Sequence, residues 1–93
     1  MYAIVCSDRH DSGALRDAHR GAHQKFLAEN SSKIVFGGPL KATPEGASTG
    51  AIIVVNCATR EEAEAFIKGD PFLRNGVYES VAVRAFKQVF PPK

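Results

Sequence analysis

The chain has 93 residues, and its 12 basic and 10 acidic side chains leave a net charge of +2. That length fits one domain, 1–93, with a modest core, and that charge is too weak for a nucleic-acid or anionic-membrane footprint. No run reaches the roughly 20 apolar residues of a membrane span, Met1 to Asp8 lacks the features of a signal peptide, and Cys6 and Cys57 sit in apolar runs where free thiols pack as small hydrophobes, so a reduced, soluble, cytoplasmic protein is expected.

Tyr2 to Ser7 is short and almost wholly apolar, the pattern of a buried strand, and the polar cluster Asp8 to Gly13 closes it. Ser12 is placed to cap a long amphipathic helix in which Leu15, Ala18, Ala22 and Phe26 recur at helical spacing until Asn30-Ser31-Ser32. Lys33 to Phe36 is rich in β-formers and is expected to end at Gly37-Gly38-Pro39. Ala42 to Thr49 reads as a surface loop, and Ala51 to Val55 as a β-branched third strand at the centre of the sheet. Thr59-Arg60-Glu61-Glu62 is a capping-box pattern for a short helix through Ala63, Phe66 and Ile67, with Gly69 as its stop and Pro71 forbidding continuation. Val77 to Phe90 keeps Val77, Val81, Val83, Ala85 and Val89 on one parity, the signature of a long fourth strand, and Pro91-Pro92-Lys93 reads as a frayed end.

The order β-α-β-β-α-β is the split βαβ, ferredoxin-like arrangement, an α+β fold whose four-stranded antiparallel sheet carries both helices on one face. Central strands apolar on both sides would leave a large exposed patch on the other face, so a homodimer packed through the sheet is expected.

The first helix carries the most informative pattern. At about 100° per residue, Arg16, Arg20, His23 and Leu27 form a stripe beside the apolar one, which sets two cations around an imidazole, the side chain suited to proton transfer at neutral pH. Asp70, held at the break before Pro71, could accept a hydrogen bond from one imidazole nitrogen, fix its tautomer and raise the basicity of the other. An aspartate before proline is also an ordinary turn former, and a helix surface can carry solvated arginines and a space-filling histidine.

Arg20-Gly21-Ala22-His23 with Leu27, Gly37-Gly38-Pro39-Leu40, Asp70-Pro71-Phe72, Gly76-Val77-Tyr78-Glu79 and Val83-Arg84-Ala85-Phe86, in that order and spacing, resemble the YciI-like (YCII-related) family over essentially the whole chain. The resemblance implies a dimeric ferredoxin-like fold with a His-Asp dyad in a cleft beside the sheet, mapping to His23 and Asp70, with Pro71 orienting the dyad. In one branch of this resemblance a halide is eliminated from a chlorinated hydroxyquinol. The arginine that holds the substrate oxyanion there matches Arg16, and the acidic residue that supports it matches Asp8. A serine that completes that oxyanion site aligns with Ala51 here, and loss of such a donor weakens oxyanion stabilisation by a few kcal/mol, so dehalogenation itself is not carried over.

The mechanism that these residues imply is narrower. His23, oriented by Asp70, removes a proton from a hydroxylated or carbonyl-bearing small molecule while Arg16, with Arg20 nearby, offsets the charge, and elimination or isomerisation follows without a cofactor or metal. Two readings compete. His19 and His23, four apart on one helix, have the spacing to share a metal or flank a haem, although no third ligand is evident. Alternatively the cleft binds a small acidic or aromatic metabolite through Arg16 and Arg20 without catalysis. An RNA-binding version of the fold is rejected because Ala51 to Val55 lacks the aromatics that stack on bases. His10 reads as a solvated loop histidine without a role.

Overall fold

The computed structural model describes residues 1–92; Lys93, part of the expected frayed end, lies outside the described residues. In chain order the elements are β1 (Tyr2–Asp8), α1 (Gly13–Glu29), a 3-10 turn (Ser31–Lys33), β2 (Ile34–Lys41), β3 (Ser48–Val55), α2 (Arg60–Lys68), α3 (Pro71–Arg74) and β4 (Tyr78–Ala85). The strands form one antiparallel sheet in the order β2-β3-β1-β4, which is the ferredoxin-like α+β arrangement anticipated from the element order.

On the helix-bearing face, Ile4 and Cys6 of β1 and Ala51, Ile53 and Val55 of β3 meet Ala63, Phe66 and Ile67 of α2, Phe72 of α3, and Val77 and Tyr78 to form the core. Residues of opposite parity lie on the other face, since successive side chains of a strand alternate. There Val54 is paired with Ala3 and Phe36, Val5 with Ile52 and Ala82, and Leu40 with Gly50. Phe36 is half exposed on that face.

Five local expectations are corrected. The second strand does not end at Gly37-Gly38-Pro39 but runs through to Lys41; β2 is an edge strand, where a proline's missing N–H costs no ladder bond. The third strand starts at Ser48, so it takes in the end of the expected loop. The fourth strand stops at Ala85 instead of Phe90, and a register shift between its pairings with Ser7 and Asp8 lets Tyr78 point into the core alongside Val81 and Val83. Asp70-Pro71 ends one helix and opens another: Asp70 caps α3 by accepting from the Phe72 amide, and Pro71 occupies the first helical position, where no amide hydrogen is needed. Finally, the inward stripe of α1 is Leu15, Arg16, His19, His23, Phe26 and Leu27, whereas Ala18 and Ala22 face outward. Alanines gain little by burial, and of the polar side chains that replace them inside, Arg16 and His23 bring carboxylate partners.

The expected N-cap Ser12 occupies that position, but its hydroxyl donates to Asp8 Oδ2 at 3.1 Å and makes no cap bond. Thr59 does cap α2, accepting from the Glu62 amide.

Candidate active site

The helix α1 is fixed at two points. Near its start, Arg16 donates from Nε to Asp8 Oδ2 at 2.6 Å and from Nη2 to Asp8 Oδ1 at 2.9 Å and to the Gly50 carbonyl at 3.0 Å. Planar, two-pronged pairing of this kind is what a guanidinium supplies and an ammonium cannot. The Asp8 hydrogen bond holds the Arg16 guanidinium above its ordinary pKa, so it is always charged. Its Nη1 is engaged by none of these bonds.

At mid-helix, His23 Nδ1 lies 2.7 Å from Asp70 Oδ1, with the aspartate completely buried and the histidine side chain 14 % exposed. A carboxylate accepts only, so Nδ1 carries the hydrogen, and in the neutral ring Nε2 then holds the lone pair. The same Oδ1 accepts from the Phe72 amide at 2.9 Å, and the Tyr78 hydroxyl approaches Oδ2 in a long contact of 3.5 Å. The Phe72 ring lies flat against the imidazole, centroids 3.9 Å apart and planes inclined by 7°. Arg16 Cζ is 5.0 Å from the same ring's centre, and Tyr78 meets the ring edge-on. Burial, and then the Asp70 charge, push the Tyr78 phenol well above its ordinary range, which makes it a neutral donor and not a base. Burial also pushes the Cys6 thiol up to about 12, removing it as a nucleophile.

Between α1 and the β2–β3 half of the sheet the helix is not seated on the strands, and a cleft of about 540 Å³ opens. The local sequence explains the space. On the helix-facing side the strands offer Gly37, Pro39 and Ala51, all short, and a Cβ on Gly37 would stand 3.1 Å from the Ile52 carbonyl oxygen, tighter than most real contacts. Arg16, Ser48 and, further along, His23 and Phe72 line the cleft from its Pro39 end, and Leu27, Ala28, Ser31 and Ile34 line the other end.

His23 and Asp70 touch, as do Arg16 and Asp8, and Pro71 starts the helical turn that presents Asp70. Arg20 borders the cleft from its exposed rim and pairs with Asp17 at 2.8 Å. Ala51 lines the cleft and brings no hydroxyl; Ser48 is a hydroxyl residue of β3 that does line it. His19 is half-buried, and among the described residues no three His, Cys, Asp or Glu side chains converge as a metal-holding group. His10 is almost fully exposed beside Asp11. Sequence reasoning missed Phe72, Tyr78 and Gly50. The first was detectable, because aspartate followed by proline is also a helix-opening pair, which sets Phe72 on a helical turn; the other two depend on register.

With this geometry in hand, comparison with known proteins gives a uniform result. A family model described as the YCII-related domain matches residues 1–87. Protein YciI of Escherichia coli O6:H1 is 33% identical over 97 residues, covering 97% of this chain and 99% of the relative. An uncharacterised protein of Haemophilus influenzae is 29% identical over 82 residues, covering 83% of this chain and 82% of its own length. Among solved structures, the 5-chloro-2-hydroxyhydroquinone dehydrochlorinase of Burkholderia phenoliruptrix, in complex with 2,5-dihydroxybenzoquinone, superposes with a TM-score of 0.87 at 25% identity, covering 99% of this chain and 98% of that one. Family model, relatives and superposition agree with the order of motifs along the sequence: the chain belongs to the YCII-related family.

Proposed function

We propose that this protein is a small-molecule enzyme in which His23 is the general base, Asp70 its orienting partner and Arg16 the group that offsets negative charge on the reacting molecule. The observation that carries this reading is the 2.7 Å contact between His23 Nδ1 and the buried Asp70 carboxylate, on the wall of an open cleft. Such a contact fixes the tautomer whose free nitrogen takes up a proton. Asp8 holds Arg16 in register, Pro71 fixes the turn that presents Asp70, and Arg20 at the rim attracts an anionic group. The structural neighbour's bound dihydroxybenzoquinone, a planar, hydroxylated molecule, supports a substrate of that kind.

The reaction class is lyase-like or isomerase-like. A hydroxyl or activated C–H proton passes to His23 Nε2, and the electron pair left behind is drawn into the conjugated system towards an oxygen facing Arg16. The pair then either expels a leaving group, which departs with its own bonding electrons, or the proton returns at another carbon. A dehydrochlorinase, the neighbour's named activity, removes hydrogen chloride and so also separates a proton from a leaving group. Ala51 keeps that particular reaction out of the proposal. The assembly is a homodimer formed through the open sheet face and works in the cytoplasm, a reading that the unpaired Cys6 and Cys57 support.

The test is turnover of hydroxylated quinones and small hydroxy acids. His23→Ala lowers kcat by about 10²–10⁴-fold, the range of general-base contributions, and Asp70→Asn, which can still cap α3, lowers kcat more than it raises KM. Turnover unchanged in both variants refutes the general base. Saturable binding without product, indifferent to Asp70→Asn, would instead make the protein a binding module.

A further inference from the structure

The cleft is much longer than the chemistry just described requires. Along α1 it is bordered from Arg16 to Leu27 and Ala28, which at 1.5 Å per residue is about 17 Å. Along β2 it is bordered from Pro39 to Ile34, again about 17 Å at 3.3 Å per residue. A single ring with oxygens at opposite ends spans only about 5–6 Å between those oxygens on standard bond lengths. Polarity is graded along this length. Arg16 and Ser48 lie at the Pro39 end and His23 and Ile53 near the middle, whereas Leu27, Ala28 and Ile34 border the far end with Gln24 and Ser31 beside them. Leu27 and Ile34 are themselves only half-buried, although they pack against the core.

Resting on the reading of Arg16 and His23 as the reacting end, we infer that the physiological substrate is amphipathic: a planar, acidic or hydroxylated head carrying an apolar substituent of several carbons that lies between Leu27, Ala28 and Ile34. The far half of the cleft is a specificity subsite. Its lining is mainly apolar, with the exposed Ser31 and Gln24 side chains beside Leu27, Ala28 and Ile34, and a head group alone leaves it filled with water that an alkyl chain would displace.

The experiment measures binding of 2,5-dihydroxy-1,4-benzoquinone and its 3-alkyl derivatives, from methyl to octyl, by calorimetry. Affinity rises about three- to fourfold per methylene until the chain fills the subsite, and then levels off. Ala28→Phe, on the exposed helix surface at the far end, shortens the chain at which the plateau is reached, and Leu27→Gln reduces the octyl-to-parent affinity ratio at least tenfold. Circular dichroism of both variants confirms that α1 persists. Affinity independent of chain length, or a gain untouched by both variants, overturns the subsite while leaving the reacting end intact. Failure of the parent ring and of every homologue to bind, or binding indifferent to Arg16→Ala, overturns the reacting end and the subsite with it.

Discussion

Asp70 shows how one side chain can satisfy two readings of its sequence context at once. As a turn former it accepts from the Phe72 amide and stops α2 from running on; in the same position, and with the same Oδ1, it meets His23. The pair stood out in the sequence, and the family resemblance implied their contact, but the residue pattern alone could offer it only as one reading, because 47 positions separate them and only the packing of α1 against α3 brings them together. Tyr78 and Cys6, which sequence patterning treated as strand residues, lie near this charge and are kept protonated by burial. Both groups are neutral in the fold at pH values where the unfolded chain has begun to ionise, above 9.0 for the thiol and 10.0 for the phenol. Their contribution to stability is thus complete below about pH 9 and is lost as pH rises, each group adding a slope of about 1.4 kcal/mol per pH unit while it is ionised only in the unfolded state. Denaturant unfolding between pH 8 and 11 should show this decline, and Tyr78→Phe should make it shallower; an unchanged slope in the variant would remove the phenol from the account.

Among the elements, β3 is the one whose placement decides the site. Its β-branched run made it easy to recognise as a central strand, yet the feature that binds it to α1 is Gly50, invisible to a hydrophobic pattern. The Gly50 carbonyl accepts from Arg16, and a Cβ on Gly50 would stand 2.1 Å from the Cys6 carbonyl oxygen of β1. Gly38 on β2, by contrast, has nothing within 4 Å of the corresponding position. Gly50→Ala should therefore cost about 3 kcal/mol of stability, the upper end of what overpacking with backbone displacement costs, while Gly38→Ala should stay within about 0.5 kcal/mol; equal effects in urea titrations would contradict the close approach. The same comparison of neighbours explains why the extent of β2 was misread: glycine and proline weaken a strand in isolation, but at an edge, with β3 beside it, ladder bonds decide. For α1 the misplaced stripe has a related origin, since hydropathy could not tell that Arg16 and His23 would find buried carboxylates.

For the whole molecule, element order gave the architecture, whereas nothing in the pattern located the gap between α1 and the sheet, which depends on three short side chains lying on one face. The other face carries Val5, Ile52, Phe36 and Leu40 across three strands around the fully buried Val54, an apolar surface of the kind that pairs with a second copy. Sedimentation should give twice the 10.0 kDa chain mass, and Phe36→Glu should return it to one chain without unfolding the core; a wild-type protein that sediments as a single chain at micromolar concentration would end the dimer proposal. A last consequence follows from the edge-on contact of Tyr78 with Phe72 at 6.0 Å. The chain has no tryptophan and two tyrosines, so one of its two tyrosine fluorophores borders the cleft. Ligand entry should quench ultraviolet emission by a fraction that Tyr78→Phe abolishes, which supplies an optical titration of the unmodified protein.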